Sequence, residues 1–163
     1  MTMTNAVVSL RDTLLDEFYI AVRTTHALLE KANPEVYSYQ PAEGMRTFME
    51  LANHLVQIPQ IDLAILQEKS ESEVRELEAR LSSDTVRDLK LVMEEGYHLL
   101  KSYFNSLNDE DFLTKESKAF YAEKPHTQIK WLTEIVTHAY HHRAQLFTYL
   151  KQTGHEVNMF DLY

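Results

Sequence analysis

Apolar positions recur at intervals of three and four along most of the chain, the period of helices that bury one face. From Ser9 to about Ala32, the residues Leu10, Leu14, Phe18, Ala21, Val22, Thr25 and Leu28 keep that spacing, and Pro34 ends the segment. From about Arg46 to Gln67 the same period runs through Phe48, Leu51, Leu55, Ile58, Ile61 and Ile65. Pro59 removes one backbone donor there and is expected to bend the helix. Ser70-Glu-Ser-Glu73 has the form of a capping box and opens a short charged segment with Val74, Leu77 and Leu81 on one face. A third long segment follows Ser82-Ser83-Asp84 and carries Leu89, Val92, Met93, Leu99, Leu100, Tyr103, Phe104 and Leu107, with Gly96 a modest weakness. The last begins at Thr127, a capping residue, and runs through Ile129, Leu132, Ile135, Val136, Ala139, Leu146 and Leu150 to a stop at Gly154. The pattern predicts an all-α four-helix bundle with a short connecting helix between the second and third long helices.

The connections bear on the order of the helices. A helix of about 23 residues is roughly 35 Å long, and about ten extended residues cross that distance. The segments Pro34–Met45 and Asn108–His126 are each long enough to run end to end. Helices one and two can then be parallel, as can three and four, which allows an up-up-down-down bundle. Simple up-down order stays open if a long connection instead covers one end.

Composition narrows the setting. A chain of 163 residues that is 44% apolar and 25% charged suits one domain over residues 1–163. Only three glycines and four prolines leave little turn chemistry for a sheet. The formal charge of −9, without a cluster of Lys and Arg, argues against a nucleic-acid partner. There is no cysteine, so no disulfide, thiolate ligand or cysteine nucleophile exists, and any sulfur chemistry must use a thiol brought by a substrate. MTMTNAVVSLRD lacks a basic segment followed by a long apolar run, and no window approaches eighteen consecutive apolar residues. A cytoplasmic protein without a membrane partner is expected.

Candidate chemistry lies in the histidines. His138-Ala-Tyr-His-His-Arg-Ala-Gln145 places three of them within five positions. Residues four apart lie about 40° apart around a helix, so His138 and His142 point the same way, on a face continued by Ile135, Gln145 and Tyr149. His141 is rotated by about 100° from His142 and is expected to face outward. Two imidazoles at this spacing can bind one cation, and His54, in register with Leu51, Ile58 and Ile61, is the best third ligand. Three histidines without a fourth protein ligand leave a coordination position open, as in catalytic rather than structural sites. Ala139 stands where a zincin needs the glutamate of HExxH. A di-iron bundle needs two ExxH pairs, and only Glu95-Gly-Tyr-His98 lies on a predicted helix. His26, His126 and His155 receive no role, and each histidine taken singly is more often a satisfied core or surface residue than a ligand.

Asn53-His54-Leu55, His138-Ala-Tyr-His-His-Arg-Ala-Gln145, Tyr149-Leu-Lys-Gln-Thr-Gly154 and Phe160-Asp-Leu-Tyr163 together resemble the DinB/YfiT-like superfamily over nearly the whole chain. The resemblance implies an up-up-down-down bundle, often a homodimer, with His54, His138 and His142 holding a divalent metal such as zinc or nickel. It also implies the chemistry of characterised relatives, which include S-transferases and isomerases that use bacillithiol, mycothiol or related small thiols. A metal-dependent hydrolase and a non-enzymatic, stress-associated metal-binding bundle are the alternatives. The family's last motif more often reads HRGQ, and Ala144 in its place favours the helix by about 1 kcal/mol while it can alter helix contacts nearby.

Overall fold

The computed structural model describes residues 3–163. Among them are six α-helices: α1 (Met3–Lys31), α2 (Phe48–Leu66), α3 (Glu71–Leu81), α4 (Val86–Ser106), α5 (Asp109–Thr114) and α6 (Gln128–Gln152). The only paired strands among these residues are β1 (Glu116–Ser117) and β2 (His126–Thr127), which are antiparallel. The all-α expectation holds, as does the connecting helix, which is α3. Four long helices form the bundle, packed in the cyclic order α1, α6, α2, α4. α1 begins ahead of the expected Ser9, because residues 3–8 contain no proline or glycine to stop it.

The direction of the helices differs from the expected up-up-down-down order. Contacts between α1 and α6 advance together, from Glu17 with Tyr140 to Thr24 with Arg143, so these two are parallel. α1 and α4 are antiparallel, since Arg11 reaches the end of α4 at Leu107 while Glu30 pairs with Lys90 near its start. α2 and α4 run parallel, with Asn53 beside Ser83 and Gln60 beside Val92. The order is therefore up-down-down-up. The physical reason is that neither long connection crosses the bundle. Residues 32–47 fold over one end around a 3-10 turn at Pro34–Val36, closed by bonds such as Phe48 N–H to Tyr39 O, and Tyr39 Oη donates to Gln152 Oε1 at 3.1 Å. Residues 108–127 cover the other end with α5 and the strand pair. α3 makes the crossing instead, returning the chain along α2 so that α4 starts where α2 started.

Each local feature has an identifiable cause. Thr47 and Glu50 form a capping box one turn before the site, with Thr47 N–H donating to Glu50 Oε2 at 2.7 Å. Ser70 and Glu73 form the expected second box. Thr127 stands at the start of α6 but its side chain makes no capping bond, because its backbone is committed to pairing with Glu116. The Gln128 N–H is met instead by Lys115 O at 3.0 Å. Gly154, at φ +79°, ends α6 as expected, with His155 N–H bonded back to Leu150 O. Gly96 is more than a tolerated weakness. A Cβ there would lie 2.7 Å from Pro59 Cγ and 2.9 Å from Gln60 Cγ, so glycine permits the tight packing of α4 against α2 at this point. Phe18, Phe48, Phe104 and Phe112 are wholly buried in the core, whereas Leu99, expected inside, is 53% exposed.

Candidate metal centre

Helix α6 carries Ile135, Ala139 and Leu146 into the core, and His138 and His142 sit beside that stripe, toward α2. On α2, His54 stands about two turns beyond the Thr47 cap and is flanked by Leu51, Leu55 and Ile58, all buried. Packing the two helices antiparallel brings the three rings together. Nε2 of His54 lies 3.2 Å from Nε2 of His138 and 3.0 Å from Nε2 of His142. Two ligands of one tetrahedral ion with metal–nitrogen bonds of about 2.0–2.1 Å are about 3.3 Å apart, so these separations suit a shared ion. His54, His138 and His142 could hold a metal, and no fourth His, Asp or Glu among the described residues joins the group.

The outer nitrogens of two rings are already occupied. His138 Nδ1 lies 3.0 Å from Asp62 Oδ2, and His142 Nδ1 lies 2.7 Å from Gln145 Oε1. An ionised carboxylate can only accept, so Nδ1 of His138 donates and its Nε2 presents a lone pair. The amide oxygen of Gln145 fixes His142 in the same tautomer. Both lone pairs then face Nε2 of His54. A proton on that nitrogen satisfies only one of them, whereas a divalent cation accepts all three imidazoles. The donor set therefore fits a metal on its own chemistry.

Electrostatics favour neutral rings. Burial pushes the His54 imidazole down to about 3, with the charges of His142, Arg46 and His138 adding to the effect. Burial likewise takes His142 down to about 4, against the opposing hydrogen bond to Gln145. Neutral imidazole is the form that binds metal. His54, alone of the three, also lines a cavity of about 790 Å³ bounded by Asn53, Gln57, Glu78, Ser83 and Asp84.

The remaining motif residues are structural. Asn53 staples the linker after α3 to α2, its Nδ2 donating to Ser83 O at 2.8 Å and its Oδ1 accepting from Ser83 N–H at 2.9 Å. Arg143 turns away from the rings and donates to Thr24 Oγ1 at 2.9 Å and Leu162 O at 3.1 Å, tying α6 to α1 and to the last residues. Ala144 is exposed. His141 is exposed, as expected, and so is His98, which lies 3.3 Å from Glu94. His126 pairs with Glu134 at 3.1 Å, outside the cluster. Sequence reasoning missed Asp62. Its signal was a single carboxylate in the apolar run Ile58-Pro-Gln-Ile-Asp-Leu-Ala-Ile-Leu66, two turns from His54.

Comparison with known proteins agrees with this description. The model of the DinB family matches residues 1–163. A crystal structure of a member of the DinB family from Exiguobacterium sibiricum superposes with a TM-score of 0.76 at 24% identity, covering 94% of this chain and 97% of that one. A DinB-like protein from Bacillus cereus gives 0.72 at 20% identity, with coverage of 90% and 95%. The DinB-like protein YjoA of Bacillus subtilis gives 0.66 at 23% identity, again over 90% and 95%. No curated protein matches the chain.

Proposed function

The chain belongs to the DinB family, and from that premise we propose that it is a divalent-metal-dependent S-transferase, joining a low-molecular-weight thiol of the bacillithiol type to an electrophile. One observation carries the reading: three imidazole nitrogens converge without a fourth protein ligand, in a chain that has no thiol of its own. His54, His138 and His142 hold the ion, zinc or nickel by the nature of the donors, while Asp62 and Gln145 keep two of the rings in the ligating tautomer. When bound, the ion supplies a positive charge that favours the thiolate of a small thiol, whose ordinary pKa of about 8.5 leaves it only a few per cent ionised at neutral pH. The cavity beside His54, with Ser82, Ser83 and Asp84 in its lining, receives the electrophile. The partners are small molecules, and the working form is a homodimer. Among the described residues no helix is long and apolar enough to cross a membrane.

The test follows conjugation of several small thiols to a model electrophile with metal-loaded protein, metal-free protein and His138→Ala. Acceleration by the loaded wild type alone supports the proposal. Equal rates without metal would remove the ion from the reaction. A loaded protein that is inactive with every thiol yet cleaves esters or amides belongs with the hydrolases, and inactivity in both screens leaves a metal-holding bundle without turnover.

A further inference from the structure

Glu50, His54 and Gln57 follow one another at intervals of four and three residues on α2, so they form one stripe on a single face of the helix. All three line the cavity of about 790 Å³. The rest of its acidic lining, Glu78 and Asp84, comes from α3 and the linker after it, which Asn53 holds against α2 through Ser83. Three carboxylates thus line the cavity, and among the described residues no Lys or Arg does. Glu78 pairs with Arg75 at 2.8 Å, whereas Glu50 and Asp84 form no ion pair among the described residues. Glu50 caps α2 through Oε2, which leaves its Oε1 to the cavity. Cavities elsewhere carry the opposite sign in their lining, Arg46 in one and Arg87 with Lys90 in another.

Surface carboxylates are solvated as readily as they bind, and the buried member of the stripe is what sets this cavity apart. Gln57 is only 6% exposed. Its Nε2 is committed to Glu78 O and Ser82 Oγ, both at 3.2 Å, which fixes the orientation of the amide. No donor among the described residues bonds to its Oε1, and that oxygen is not sealed within the core, so it opens on the cavity that Gln57 lines. A buried amide oxygen left without a donor calls for one from whatever fills the cavity. A primary ammonium offers three N–H donors and no acceptor, which matches a fixed carbonyl oxygen flanked by carboxylates.

We infer that this cavity is a cation subsite that takes an ammonium group of the electrophile, with Glu50 and Asp84 supplying the charge and Gln57 Oε1 a fixed acceptor beside His54. The inference rests on the reading above, in which the electrophile enters here, and narrows that electrophile to amine-bearing compounds. Glu50, Gln57 and Asp84 are then specificity residues.

The test titrates zinc-loaded protein, without thiol, with three acrylamides that differ at the end remote from the alkene: N-(2-aminoethyl)acrylamide, N-(2-hydroxyethyl)acrylamide and N-acryloylglycine. Binding is followed through the NMR signals of the ligands. Wild type should bind the ammonium compound about tenfold more tightly than the hydroxyl compound, the size of one charge-assisted interaction, and the carboxylate compound more weakly still. Combining Glu50→Gln with Asp84→Asn should bring the first ratio to about one, and glutamine still serves the capping box. Combining Asp12→Asn with Asp16→Asn removes the same charge from exposed positions of α1 and should leave the ratio as it is. Equal affinities in wild type, no binding by any of the three, an unchanged ratio in the cavity variant, or an equal fall in the α1 variant overturns the subsite and leaves the thiol reading intact. The thiol reading is tested on the same samples by adding a small thiol to the ammonium compound, its sulfur bonding to the terminal alkene carbon and its proton going to the carbon beside the carbonyl. A preference for the ammonium compound without metal-dependent addition supports the subsite and removes the thiol reading.

Discussion

Asp62 on α2 accepts a hydrogen bond from His138 on α6 at 3.0 Å, across the interface that brings the three rings together. The carboxylate is 14% exposed, so its charge is only partly screened. It decides which nitrogen of His138 bears the proton and thereby aims the other at His54. Asp62→Asn keeps the shape and removes the charge. Metal affinity, measured by competition with a chelator, should fall by about 10- to 100-fold, the usual cost of losing an outer partner of a ligating histidine. Unchanged affinity would mean that Asp62 only fills space.

Gly96→Ala should destabilise the protein even though alanine is the better helix former by about 1 kcal/mol. The added methyl would meet Pro59 Cγ at 2.7 Å, and a pyrrolidine ring cannot swing aside as a long side chain does. Overpacking of this kind costs about 1–3 kcal/mol, so after the helix gain the net loss should reach up to about 2 kcal/mol in the free energy from urea unfolding. Adding Pro59→Ala to Gly96→Ala should recover part of it. A gain in stability from Gly96→Ala alone would refute the close approach of α2 and α4.

Metal-free protein should lose stability as pH falls from about 6.5 toward 4. In the unfolded chain His54 and His142 take up protons near 6.5, whereas burial holds them down to about 3 and 4 in the fold. Between those values the unfolded state binds more protons, so acid favours unfolding, by at most about 1.4 kcal/mol per pH unit for each ring. Their contribution is fully present above 6.5. Urea titrations at pH 7 and pH 5 measure it, and His54→Ala should flatten the difference. Equal pH dependence in wild type and variant would place the acid sensitivity elsewhere.

Much of this architecture was legible in the chain because helical period is a local signal. The spacing of His138 and His142 fixed their shared face, and the placement of His54 with Leu51 and Ile58 pointed it inward. Helix direction was not legible, since loop length states only what a connection can span. Residues 32–47 had reach enough to cross, yet the contacts of Tyr39 and Phe48 fold them over one end. Asp62 and Gly96 escaped for a related reason. The role of each depends on a partner on another helix, His138 for one and Pro59 for the other, and pairing between helices leaves no periodic mark. Leu99 obeys the period but falls beyond the arc that α4 buries.

The central claim is that His54, His138 and His142 act as one metal-binding set, and metal content per chain tests it most directly. Purified protein is stripped with a chelator, reloaded with zinc or nickel, dialysed and analysed for metal against protein concentration. Wild type should retain one ion per chain, His54→Ala, His138→Ala and His142→Ala should each lose it, and His141→Ala, whose ring is exposed, should keep it. A full equivalent of metal in His54→Ala together with loss in His141→Ala would contradict the account.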